Sequence, residues 1–273
     1  MTNKWLKVAL MVTAIATGTS IKIDAETVLY VPQDDRPVSL QYTVDTAREA
    51  GMTVLTPPQH LISGKTYQGQ ADQIMAWVEQ NAGRADVMVL STDTLIYGGL
   101  VDSRKHNIPL STLQNRLKRI EGLKARNKNV RIYGFGTVMR SPRASGGGTE
   151  PAYYAEYGPT IFQIAALQDK LDSGSLTQEE TQKLMSLQAS VPVEYLQDWF
   201  DRRQKNMKIN KELIDETRSG VFDYFALGHD DTSQLSQSAL EGRYLNKYSK
   251  DISVEKYGSF PGADQLGLLL MAR

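Results

Sequence analysis

A short run of branched and aromatic apolar residues that ends abruptly in polar or charged residues recurs along this chain. That repeat limits the fold more than any other feature. "TVLYV" at 27–31 leads into "PQDDRP", and "ADVMVL" at 85–90 leads into "STDTLIYGG". "VRIYGFG" at 130–136 leads into "TVMRSPR", and "VFDYFALG" at 221–228 leads into "HDDTSQ". "MTVLT" at 52–56 and, more weakly, "DISVEKYG" at 251–258 add two more runs. The clear cases lack clean alternation of polar with apolar residues, so each reads as a strand buried on both faces.

Helical spacing fills the gaps. "SLQYTVDTAREAG" offers Ser39 as a cap and Gly51 as a stop. "YQGQADQIMAWVEQNAG" puts Ile74, Trp77 and Val78 on one stripe, and "PLSTLQNRLKRIEGLKARN" does the same with Leu113, Leu117 and Ile120. Strand and helix at this pitch predict an α/β fold of repeated βα units with a parallel sheet, a partial or complete (β/α) barrel-like arrangement. A closed barrel of eight strands needs two more than are visible. Residues 153–219 break the rhythm with three helical segments in a row, where Pro159 and Pro192 fall near first turns and Thr177 with Glu180 has capping-box spacing. A helical insertion at 153–219 in a single α/β catalytic-like domain, 26–273, is the expected organisation. "PGADQLGLLLMAR" opens a further helix as the sequence ends, so the domain is expected to be cut short at its C-terminus.

The first residues have a different character. Lys4 and Lys7 precede an apolar stretch from Val8 to Ala16, followed by small and polar residues up to "IDAET". That order matches a signal peptide over 1–25, cleaved after Ala25, and implies a secreted or cell-surface protein. Lys plus Arg equals Asp plus Glu at 31 each, so no basic field invites nucleic acid. With no cysteine, disulfides, thiol nucleophiles and iron–sulfur clusters are excluded.

The acids share a position, just past the carboxyl ends of strands, where parallel α/β folds gather their chemistry. Asp230 and Asp231 are the candidate catalytic pair, able to divide general acid from base or nucleophile as glycosidic bond cleavage requires. His229 beside them suits a ligand-binding or proton-carrying role. Asp34, Asp35 and Arg36 form a second cluster, in which Arg36 can neutralise an aspartate or grip an anionic group. Asp93 and Tyr97 belong to a third, where Gly98 and Gly99 permit a ligand to approach the backbone, and Asp102 and Arg104 follow. Arg140, Glu150 and Tyr154 flank the glycine run at 146–148, and Asp264 ends the set. Tyrosine faces among carboxylates and arginines suit a sugar ring. Capped turns with local ion pairs are the plain alternative for each cluster. No Walker loop, GxGxxG, HExxH or G-x-S-x-G motif is present. No cofactor is expected; oxygen ligands from Asp34, Asp93, Asp230 and Asp231 leave Mg or Mn as the alternative.

"VPQDDRP", "STDTLIYGGLVDSR", "GTVMRSPRASGGGTEPAYYAEYG", "FDYFALGHDDTSQLSQSALE" and "PGADQLGLLLMAR" resemble the signature blocks of a large bacterial family of unknown function, the DUF4127 proteins. Family members run to nearly twice this length, so the chain resembles their N-terminal half. The resemblance implies that the acids, arginines and tyrosines named above belong to motif blocks, and it brings no activity with it. The expected function is a carbohydrate-active enzyme, a glycoside hydrolase. A metal-assisted hydrolase of phosphoester-like bonds and a non-catalytic carbohydrate-binding envelope protein are the alternatives. The expected partner is a carbohydrate or other small polar substrate, with self-association through open sheet edges.

Overall fold

The computed structural model describes residues 25–144, 147–231 and 233–273. The expected signal peptide, apart from Ala25, lies outside them. Six strands form one parallel sheet: β1 (Thr27–Val31), β2 (Thr53–Leu55), β3 (Val87–Ser91), β4 (Arg131–Val138), β5 (Tyr224–His229) and β6 (Tyr257–Pro261). Their order across the sheet is β2-β1-β3-β4-β5-β6. A βα barrel keeps its strands in chain order, but here β1 sits between β2 and β3. The expected barrel-like closure is therefore replaced by an open sheet wound in two directions, whose described edges are β2 and β6.

Winding in both directions covers both faces. On one face lie α2 (Ala71–Asn81), α5 (Leu110–Arg126) and α8 (Val193–Ser219). Their Ile74, Val78, Leu117, Ile120 and Leu213 join Leu29, Met88, Ile132 and Phe225 in one core. On the other face α1 (Gln41–Glu49) and α10 (Leu266–Met271) bring Val44, Ala47, Leu266 and Leu270 onto Val28, Val89, Phe135 and Ala226. Each buried leucine or isoleucine contributes about 2 kcal/mol by leaving water. Burial on both faces is why the strand sequences lack alternation.

Two short helices follow β3: α3 (Thr92–Tyr97), capped by the Ser91 hydroxyl, and α4 (Leu100–Lys105). Gly98 between them has φ 112°, a conformation that favours glycine. The close approach expected at Gly98 and Gly99 is made by the chain itself. A Cβ on Gly99 would lie 1.8 Å from the Ser63 hydroxyl, and one on Gly69 would lie 2.0 Å from the Gly98 carbonyl.

Three helices occupy the expected insertion: α6 (Tyr154–Asp172), α7 (Gln178–Ala189) and α8. They share a separate apolar core that includes Ile161, Ile164, Leu184 and Trp199. Thr177 and Glu180 make both bonds of the capping box at the start of α7. Pro192 immediately precedes α8 without a capping bond, while Pro159 lies inside α6, whose N-terminus is earlier than the sequence suggests. Ser39 does not cap α1, which starts after Leu40 without a side-chain cap. The sixth strand also begins later than expected. Phe225 pairs with Tyr257, so residues 251–256 form the turns after α9 (Gln237–Tyr248), and Val254 is exposed.

Candidate functional site

Parallel pairing brings the carboxyl ends of all six strands to one edge of the sheet. A cavity of about 330 Å³ opens there. Asp34 and Arg36 reach it from the loop after β1, Lys65 from the loop after β2, and Arg104 from α4 after β3. Arg140, Asp230 and Asp264 reach it from the loops after β4, β5 and β6. The order of strands reverses between β1 and β3, and open α/β sheets bind ligands beyond such a reversal.

The charges in the cavity are organised as ion pairs. Arg36 donates through Nε to Asp34 Oδ2 at 2.8 Å and through Nη2 to Asp264 Oδ1 at 2.8 Å, joining the first loop to the last. Arg140 donates through Nε to Glu150 Oε1 at 2.7 Å and through Nη2 to the Thr149 hydroxyl at 2.6 Å. Arg104 donates through Nη2 to Asp230 Oδ2, and the two side chains are only 5% and 16% exposed. Burial pushes Asp230 above the ordinary carboxyl range, against the pull of Arg104, and draws Arg104 down from the usual guanidinium value. Arg104 Nε is buried and has no partner among the described residues. Lys65 is exposed at the cavity and forms no ion pair among the described residues.

Asp93 lies near the strand ends but is buried. Thr137 donates to its Oδ2 at 2.7 Å and Gln33 Nε2 at 3.3 Å. Burial pushes it up to about 6 even though both bonds favour the charged form. A buried acid held by polar side chains at strand ends is an arrangement consistent with an α/β active site. No clear catalytic dyad is evident among the described residues.

The adjacent aspartates part company. Asp230 faces the cavity. Asp231 turns to the backbone, accepting from Ser233 N at 2.9 Å and Ser141 N at 3.3 Å, and so ties the loop after β5 to the loop after β4. His229 ends β5 with Nε2 2.7 Å from the Ser259 hydroxyl and its ring against Gly242 of α9, and burial lowers its pKa. Asp35 accepts from the Tyr67 hydroxyl in the neighbouring loop. Tyr154 is fully buried in the insertion and donates to the Pro142 carbonyl at 2.8 Å. Tyr97 lines a different cavity, behind α3 and α4. Neither tyrosine lines the edge cavity: Tyr154 packs in the core of the insertion and Tyr97 faces the other cavity.

The expected oxygen cluster for Mg or Mn does not form. Asp34 and Asp230 are each held by an arginine, Asp93 is bonded to Thr137 and Gln33, and Asp231 serves the backbone. Among the described residues no three His, Cys, Asp or Glu side chains gather where they could together hold a metal ion. No helix among them is long and apolar enough to cross a membrane.

Sequence reasoning undervalued Arg104 and missed Lys65. The signal for Lys65 was its place in "SGKTYQG", the loop after the second strand, which obeys the same edge rule as the acidic loops. The sequence matches no curated protein. The model of the family described as a protein of unknown function, DUF4127, matches residues 28–273, which include every strand but the first residue of β1 and every loop around the cavity. With that match covering nearly its whole length, the chain belongs to the DUF4127 family.

Proposed function

We propose that the edge cavity is the active site of a carbohydrate-active hydrolase, secreted or held at the cell surface. Asp230 protonates the leaving oxygen and Asp264 is its partner carboxylate. The observation that carries this reading is Asp230 itself, a mostly buried carboxyl on the cavity wall whose hold on a proton is strengthened by burial. A general acid needs that property. Asp264 is 47% exposed and touches Arg36, a very different setting. Two carboxyls in contrasting surroundings are how one site divides acid from base or nucleophile. The pair thus comes from two strand ends rather than from neighbouring residues.

The remaining residues suit binding. Arg36, Arg140 and Lys65 present N–H donors to hydroxyls or to an acidic substituent, and the cavity volume suits a ligand of about one sugar ring. Arg104 holds Asp230 in place, and the Asp231 bonds fix the loop that presents it. The N-terminal lysines and apolar stretch support export. The edge strands β2 and β6, each paired on one side among the described residues, support self-association.

The test is turnover of a panel of aryl glycosides by the full chain and by Asp230→Asn and Asp264→Asn. Each substitution is expected to lower kcat/KM by roughly 10²–10⁴. Substrates with a strongly activated leaving group should recover much of the loss in Asp230→Asn alone, since they need no proton. Unchanged turnover in both variants would remove the pair from the mechanism. Binding of glycosides without any cleavage would make the protein a carbohydrate-binding module instead.

A further inference from the structure

The edge cavity does not present its two signs of charge equally. Its acids are mostly set back from solvent. The side chains of Asp34 and Glu150 are only 6% and 4% exposed, and Asp230 is mostly buried as well, each held by an arginine. The cations are more open. Arg36 and Arg140 are 39% and 24% exposed, and Lys65 is exposed and forms no ion pair among the described residues. Asp264 is the one acid of the four that is equally open.

Both arginines have donors left over. Arg36 uses Nε and Nη2 for Asp34 and Asp264, and Arg140 uses the same two groups for Glu150 and Thr149. Neither Nη1 donates to a described residue, and neither is shut away from solvent as Arg104 Nε is. The Lys65 ammonium adds further donors. The three side chains come from the loops after β1, β2 and β4 and line one cavity. Guanidinium and ammonium groups only donate, so whatever they meet has to accept. A carboxylate accepts at both oxygens and bonds to charged donors more strongly than a hydroxyl does.

Charge balance sets how much negative charge a ligand should bring. Arg36, Lys65, Arg104 and Arg140 stand against Asp34, Glu150, Asp230 and Asp264, so the site is neutral when all of them are ionised. The hydrolase reading requires Asp230 to hold a proton when the substrate arrives. The site then has one positive charge in surplus, and a ligand with a single negative charge restores the balance. A phosphate, with about two charges near pH 7, would overshoot it. The cavity of about 330 Å³ suits one sugar ring bearing such a group. We infer that the substrate is an acidic sugar, a uronic acid whose carboxylate sits among Lys65, Arg36 Nη1 and Arg140 Nη1. The charge argument rests on the hydrolase reading, but the binding can be measured without turnover.

The experiment titrates the full chain with D-glucuronate and D-galacturonate and with their neutral counterparts D-glucose and D-galactose, each up to about 50 mM, an ample range for millimolar affinity. At least one uronate is expected to bind saturably and roughly tenfold more tightly than its neutral counterpart. Lys65→Gln should fold like the parent, with thermal unfolding as the check, and should weaken uronate binding roughly tenfold, as the loss of one charged hydrogen bond does. Lys65→Arg should restore most of that loss. In parallel, aryl D-glucuronides should be cleaved with a higher kcat/KM than aryl D-glucosides. The inference is overturned if no uronate binds saturably, if the neutral sugars bind as tightly, or if Lys65→Gln binds as well as the parent. Tighter binding of glucose 6-sulfate or glucose 6-phosphate than of either uronate would overturn it too. Preferential cleavage of neutral aryl glycosides overturns it and leaves the hydrolase reading standing. Lys65-dependent uronate binding with no cleavage of any glycoside removes the hydrolase reading and leaves the acidic-sugar site.

Discussion

Arg203 and Arg104 are both buried and both face carboxylates, yet they are used in opposite ways. Arg203 of α8 grips Glu241 of α9 with two bonds of 2.8 and 2.7 Å. Its remaining N–H groups serve the Arg140 carbonyl at 2.9 Å and the Met139 carbonyl at 2.6 Å, and its plane lies 4.8 Å over the Trp199 ring. Arg104 makes one contact with Asp230 and leaves Nε without a partner among the described residues. Removing charge from water is costly unless every donor is met. Arg203 meets that condition and fastens the insertion to the loop after β4. Arg104 does not, although its side chain lines a cavity. The contrast separates a strut from a working part more clearly than burial does, because both residues are buried.

Arg203→Ala should break the comparison most visibly. It strands Glu241 and two backbone carbonyls, at a cost of about 3–5 kcal/mol. Urea unfolding measures this, and a loss below about 1 kcal/mol would show that the full set of bonds is not structural.

Asp93 sharpens the comparison, as a buried acid bonded to neutral groups. Its folded pKa of about 6 lies above the ordinary 3.8, so the folded state holds a proton that the unfolded chain releases. Stability is therefore lost as pH rises from about 4 to about 6, by about 3 kcal/mol in all. Asp93→Asn should flatten that part of the stability profile relative to the parent. Parallel profiles for the two proteins would mean that Asp93 is ionised throughout.

The smallest effect belongs to the cavity pair. Replacing both partners, as Arg104→Met with Asp230→Leu, should change stability by no more than about 1 kcal/mol, since an underbonded ion pair gives little net stabilisation. The matching double change at Arg203 and Glu241 should be distinctly worse, because Met139 and Arg140 would lose their donor. Equal losses from the two double variants, read from urea midpoints, would erase the distinction.

Much of this arrangement was readable before any coordinates. A strand buried on both faces and an acid just beyond it are local features, and parallel pairing alone sends such acids to one edge. The site of β1 within the sheet was not readable, because it depends on which way each crossover turns and no single segment encodes that. Nor could the sequence separate Asp230 from Asp231. Successive residues beyond a strand point different ways, and Asp231 is held to the backbone both by the nearby Ser233 and by Ser141, 90 residues away, a partner that no local segment reveals. Tyr97 looked like a cavity residue and is one, but the two turns of α3 and α4 carry it to the far side of the segment that presents Arg104.

That segment has a thermodynamic consequence. A helix of six residues, preceded by a left-handed glycine, is a partition wall between two chambers. An occupant of either chamber that prefers one setting of the wall alters the other's grip, and the influence must run equally in both directions.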